Sequence, residues 1–256
     1  IFKVGSSNFL FILKKSSGFA RIHRINSDGT KGSLVVQYQW STGWDTAEFV
    51  VLGSTTYLFL MKSSNGQVHI ERMNSDGTVG NRVATYAWSS GWDSARFVKI
   101  GTTTYLFLLK SSNGQVHIEK MNSDGTVGSR VATYAWSSGW DTVEFVQIGT
   151  STYLFLLKSS NGQVHIDKMN SNGTVGDRAA IYSWTSGWSN AAFYKSGSNT
   201  YLMILKSTTG DSHIYKMNSN GTIGTRTYQQ TWRPGWTTME TYVTNSIPRL
   251  FLLMDQ

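Results

Sequence analysis

The sequence has no cysteine, which excludes a disulfide framework, a thiol nucleophile and a thiolate metal site. It has two prolines in 256 residues, so it is neither collagen-like nor a Pro-rich disordered chain. Charged residues make up 15%, well below the usual quarter. No run approaches 18 consecutive apolar residues, so no membrane-spanning helix is expected. The chain starts at Ile1 without a methionine or a signal-type apolar segment, as after trimming or removal of a leader. Helical periodicity and helix-capping patterns are also missing.

What the chain does have is aromatic residues (10 Trp, 12 Tyr, 12 Phe) and 25 Gly, set among Ser, Thr and Asn. That mixture of ring-bearing strand formers and turn formers points to an all-β protein. The net charge of +8 comes from basic residues spread along the chain. A run of Lys and Arg is what nucleic-acid binding would call for, so no nucleic-acid partner is expected.

One repeat accounts for the sequence. W-S-x-G-W occupies Trp40–Trp44, Trp88–Trp92 and Trp136–Trp140, and W-T-S-G-W and W-R-P-G-W follow at Trp184–Trp188 and Trp232–Trp236. N-S-[DN]-G-T starts at Asn26, Asn74, Asn122, Asn170 and Asn218. The spacing is 48 throughout, and residues 49–96 and 97–144 agree at 39 of 48 positions. Counted from the first residue, the repeats are 1–48, 49–96, 97–144, 145–192 and 193–240, with a half-unit at 241–256. In the half-unit, Tyr242–Met254 corresponds to Phe2–Lys14. Each repeat carries four strand signals, in the third repeat Phe97–Ile100, Tyr105–Lys110, Gln115–Met121 and Arg130–Trp136, joined by Asn-Gly and Asp-Gly turns. Four antiparallel strands per 40–50 residues, repeated, predict a single β-propeller domain over 1–256. Five blades are expected. Six would follow if the terminal half-units made an extra blade, and a β-solenoid fits less well because its coils are shorter.

Repeat length, strand number and the Gly-Trp step between units resemble the tachylectin-2-type five-bladed propeller lectins and, more loosely, the tectonin-type lectins. The resemblance is architectural and carries over no binding motif. It implies a multivalent carbohydrate-binding protein, an agglutinin without enzymatic activity, acting outside the cell on surface glycans. The alternatives are a protein-interaction scaffold and a glycan-targeting module of a larger toxin or secreted hydrolase. No cofactor and no membrane insertion are expected, and oligomerisation is left open.

Candidate sugar contacts follow from the repeat. The second tryptophan of each pair (Trp44, Trp92, Trp140, Trp188, Trp236) is expected to stack on sugar at blade junctions, and the first to lie in the core. Asp45, Asp93 and Asp141 follow it, as acceptors for sugar hydroxyls or as turn caps. His69, His117, His165 and His213 recur once per blade, as strand residues near a blade face or as sugar contacts. One histidine per blade is too few ligands for a metal site. The N-S-D-G segments are turns, lacking the further acidic ligands of a calcium loop. Asn172 and Asn220 create N-G-T glycosylation sequons. Paired carboxylates flanking one cleft, a Ser-His-Asp set and a Gly-rich phosphate loop are all missing, so a binding role is expected over catalysis.

Overall fold

The computed structural model describes residues 1–254, which form 22 β-strands and no helix. The first blade comprises Phe2–Val4 (β1), Ser7–Lys14 (β2), Phe19–Ile25 (β3) and Lys31–Gln39 (β4). The second comprises Thr46–Leu52 (β5), Thr55–Met61 (β6), Gln67–Met73 (β7) and Val79–Ala87 (β8), and the third Ser94–Ile100 (β9), Thr103–Lys110 (β10), Gln115–Met121 (β11) and Val127–Ala135 (β12). The fourth comprises Thr142–Ile148 (β13), Ser151–Lys158 (β14), Gln163–Met169 (β15) and Val175–Ser183 (β16). The fifth comprises Asn190–Ser196 (β17), Asn199–Leu205 (β18), Asp211–Met217 (β19) and Ile223–Thr231 (β20). A two-stranded hairpin follows, Trp236–Thr244 (β21) and Ile247–Met254 (β22). Each blade is an antiparallel meander, its strands in sequence order. The fold is a five-bladed β-propeller, and the terminal half-unit is a hairpin and not a sixth blade.

The strand signals are found where the sequence places them, with three differences, one of them the second strand of the third blade, which starts two residues early at Thr103. The first strand of the third blade starts three residues early, at Ser94, and the fourth covers Val127–Ala135, so Trp136 lies just beyond it. A repeat counted from residue 49 cuts through β5; the strands group from Thr46.

By contact, the chain divides into two compact units, Ile1–Trp136 and Ser137–Gln256. In the first unit, β6 shows how a blade packs. Successive side chains of a strand point to opposite faces. Leu58 and Leu60 join Phe2, Phe9, Ile22 and Trp44 of the first-blade side. Tyr57, Phe59 and Met61 join Trp92, Ala95, Leu106 and Leu108 of the third-blade side. A strand sandwiched this way must be apolar at every position, which explains the unbroken Y-L-F-L run. In the second unit, Phe155, Leu157 and Ile166 pack in the same manner on Trp188, Leu202 and Ile204. Ala192, Met203 and Leu205 pack against Met239 of the hairpin.

Two local features recur in the blades. The N-S-D-G-T segment is a self-bonded turn: Asp124 Oδ1 accepts from the Thr126 amide at 2.9 Å and hydroxyl at 2.6 Å. The turn's Gly125 has φ +93°, and its Cα presses on a ring of the previous blade, where a Cβ would stand 2.4 Å from Tyr57 Cε1. The second feature is a β-bulge between third and fourth strands in every blade, after Ile70 in the second. A bulge re-aims the side chains beside it, and here those are Glu71 and Arg82.

Candidate functional site

A pocket of about 490 Å³ opens at the junction of the first and second blades, within the range of small-molecule sites. Tyr38 and Trp40 form one wall. They are two residues apart at the end of the first blade's outer strand, so they share a face, and their rings stack at 5.3 Å and 22°. The Tyr38 hydroxyl accepts a hydrogen bond from the Val79 amide of the next blade at 2.8 Å. The Trp40 amide donates to Gly18 O at 2.9 Å. The platform is therefore anchored to two blades at once.

Trp44 lies at the back, 3% exposed. Lys62 Nζ stands 4.7 Å from its ring centre, a cation–π distance. The His69 ring lies 4.6 Å from it, and Lys62 Nζ donates to Ser41 Oγ at 3.0 Å. His69 Nε2 is 3.1 Å from Gln67 Nε2, an amide that can only donate, so hydrogen-bond logic puts the imidazole proton on Nδ1. His69 Nδ1 lies 3.8 Å from Glu71 Oε1. Burial, then the charges of Arg82 and Lys62, push the imidazole down to about 4, so His69 is neutral at pH 7. Glu71 is buried and accepts from Arg82 Nε at 2.8 Å, while the arginine side chain is half exposed.

The next junction in the same unit repeats this. Tyr86 stacks on Trp88 at 5.6 Å, and His117 lies 4.5 Å from Trp92. Gln115 meets His117 at 3.2 Å, Arg130 meets Glu119 at 2.8 Å, and His117 too is pushed down to about 4. In the second unit the junction of the fourth and fifth blades brings together Tyr182, Trp184, Trp188, His213 and Arg226, with Tyr215 where the first junction has Glu71.

The two tryptophans of each pair exchange their expected places. The second is core: Trp44, Trp92, Trp140 and Trp188 are 2–5% exposed. The first is half-buried, and Trp40 walls the pocket. The cause is the glycine step: after Gly43 the chain turns inward and the next indole is clamped between lysine and histidine, whereas Trp40 ends an outer strand. Trp236 breaks the series. It is half-buried and lacks a hydrogen-bond partner at Nε1, and Met254 takes the lysine's register.

Asp45, Asp93 and Asp141 are turn caps. Asp45 accepts from the Ser63 amide at 3.1 and 3.2 Å and from its hydroxyl, and Asp93 and Asp141 do the same with Ser111 and Ser159. Ser189 serves the fifth blade by bonding Ser207 at 2.6 Å. His69, His117, His165 and His213 all lie against the second tryptophan, at 4.5–4.7 Å. Among the described residues no three His, Asp or Glu side chains gather to hold a metal ion. Sequence reasoning missed Tyr38 and Arg82, and set Glu71 aside as a catalytic carboxylate because it repeats by blade with Glu119 and Asp167. The available signal was the Y-x-W spacing at Tyr38, Tyr86, Tyr134 and Tyr182, lost at Gln230 in the fifth repeat.

No protein-family model matches the chain, and no curated protein matches it. Solved structures do. A candidate 6-phosphogluconolactonase from Bacteroides uniformis superposes with a TM-score of 0.63 at 16% identity, covering 95% of this chain and 71% of that one. A GH43_1 enzyme from Xanthomonas citri, complexed with xylotriose, gives 0.53 at 11% identity, over 82% and 80% of the two chains. An exo-β-1,3-galactanase from Phanerochaete chrysosporium, with galactose, gives 0.54 at 9% identity, over 86% and 53%. At these identities the likeness shows the fold. The expectation of a tachylectin-type agglutinin without enzymatic activity is overturned, because no tachylectin is among these structures and several of them are named as lactonase and glycoside-hydrolase enzymes.

Proposed function

We propose that the chain is a carbohydrate-active propeller of the hydrolase kind, and that the pocket at the first blade junction receives a saccharide as substrate. One observation carries this: an aromatic wall, Tyr38 and Trp40, shares a pocket with the Glu71–Arg82 pair. Aromatic faces suit the C–H face of a sugar ring. A carboxylate offers acceptor oxygens to sugar hydroxyls, and a guanidinium offers fixed donors. Glu71 is the group placed to take a proton from a water attacking the anomeric carbon, with neutral His69 beside it, while the bond to the leaving oxygen breaks and that oxygen leaves as an aryloxide or takes its proton from solvent. The enzyme propellers of the same fold, one with xylotriose and one with galactose, support a saccharide over other small molecules.

The test is to titrate the full chain with xylotriose and with galactose by tryptophan fluorescence. Turnover of aryl xylosides, aryl galactosides and gluconolactone is then followed. Binding of one sugar class, with turnover reduced at least about a hundredfold in Glu71→Gln, is the expected result. Neither binding nor turnover with any of these compounds overturns the reading.

A further inference from the structure

The junction of the fourth and fifth blades repeats the first junction three periods later, with one substitution at its centre. Glu71 pairs with Leu58 on one side and Arg82 on the other. Tyr215 holds the same register, paired with Leu202 and Arg226. A phenol reaches further than a carboxylate, and this one lies parallel to Trp184, with centroids 6.2 Å apart and planes at 10°. Trp184 is the counterpart of Trp40, so Tyr215 covers the platform that the first pocket leaves open. The edge of Trp188 closes on the same indole at 6.4 Å and 70°.

The neighbouring polar groups are rewired to match. Where Gln67 bonds His69 Nε2, the fifth blade has Asp211, which accepts from Thr209 and Thr231 at 2.9 Å each. His213 instead meets the Tyr215 hydroxyl through Nδ1 at 3.0 Å. Positions 211 and 215 thus differ together from their counterparts, and His213 turns from residue 211 to the phenol.

We propose that Tyr215 is a built-in plug: it takes the place of a ligand against Trp184 and closes this junction to the saccharide that the first junction admits. The identity of that saccharide rests on the reading given above; the plug itself does not.

Tryptophan oxidation by N-bromosuccinimide, mapped by peptide mass spectrometry on the full chain, tests the plug without any ligand. In Tyr215→Ala the rate at Trp184 should rise about fivefold or more, with Trp40 and Trp88 unchanged, and Tyr215→Phe should keep the original rate. An unchanged Trp184 rate in Tyr215→Ala overturns the plug. If all three tryptophans speed up in the alanine variant, the blade has loosened, and Tyr215→Glu decides by the same rates, since it restores the carboxylate–arginine pair of the first junction. A second arm adds xylotriose. In Tyr215→Glu it should protect Trp184 as it protects Trp40. Protection of Trp40 but not of Trp184 overturns Tyr215 as the residue that excludes ligand. Protection of neither removes the saccharide reading, and the plug then stands or falls on the oxidation rates alone.

Discussion

Lys62 holds its ammonium 4.7 Å from the centre of the Trp44 indole. The same relation joins Lys110 to Trp92, Lys158 to Trp140 and Lys206 to Trp188, at 4.7–4.9 Å. Each of these four indoles meets a histidine as well, so a lysine, a tryptophan and a histidine form one stack at each. Apolar burial of the indole, cation–π attraction and the lysine's bond to a serine or threonine hydroxyl act together there.

The stack assigns stability to the second tryptophan. Trp92→Ala should leave a cavity and cost about 3–5 kcal/mol. Trp88→Ala, which removes a half-buried ring, should cost less and impair ligand binding more. Paired chemical melts and sugar titrations of the two variants check this; equal losses of stability would show that the pair shares one structural role.

The histidines make the fold sensitive to acid. His69 and His117 have imidazoles pushed down to about 4, by burial first and then by Arg82 and Lys62, and by Arg130 and Lys110. His165 and His213 are pushed down too, by burial first and then by Arg178 and Arg226. In the unfolded chain a histidine titrates near 6.5. Between 6.5 and 4 the unfolded state therefore binds more protons, and stability falls as pH falls through that window. Urea midpoints from pH 7.5 to 4 should drop, and the drop should shrink in His69→Gln. A flat profile would contradict the neutral, buried imidazoles.

The capping aspartates should tolerate a hydroxyl better than a methyl. Asp93→Ala removes the acceptor for the Ser111 amide and should cost about 1 kcal/mol. Asp93→Ser copies the Ser189–Ser207 bond of the fifth blade and should cost less. Thermal midpoints of the two variants measure the difference.

Two glycines in the same blade separate backbone strain from collision. Gly101 has φ +61° and open space around its missing Cβ, so Gly101→Ala should cost about 1 kcal/mol, the left-handed penalty alone. Gly125→Ala meets the same penalty and the Tyr57 ring as well, so it should cost more and disturb the junction with the second blade. Denaturation curves of both decide.

The fold was legible because its signals repeat. Y-L-F-L-L-K, N-G and N-S-D-G each recur at one spacing, and a strand buried on both faces leaves an uninterrupted apolar run. The site was less legible, for a physical reason. Trp40 and Trp44 are equally aromatic in sequence, and only the inward turn after Gly43 decides which becomes core. Glu71 and Arg82 lie eleven residues apart, and the bulge between their strands sets their register, which no local pattern reports. Asp45 had two readings of equal chemistry, and the Ser63 amide that settles them lies on another strand.

The hydroxyl of Tyr38 accepts from Val79, Tyr86 from Val127 and Tyr182 from Ile223, always 41 residues on. These three blades thus offer their successors one and the same handle, and nothing in the handle says which successor it is. Correct order comes from the tether alone. During refolding at high concentration, a blade of one molecule is as good a neighbour as the next blade of its own chain. Intermolecular exchange, a characteristic failure of repeat proteins, therefore competes with folding here, and dilution favours the monomer.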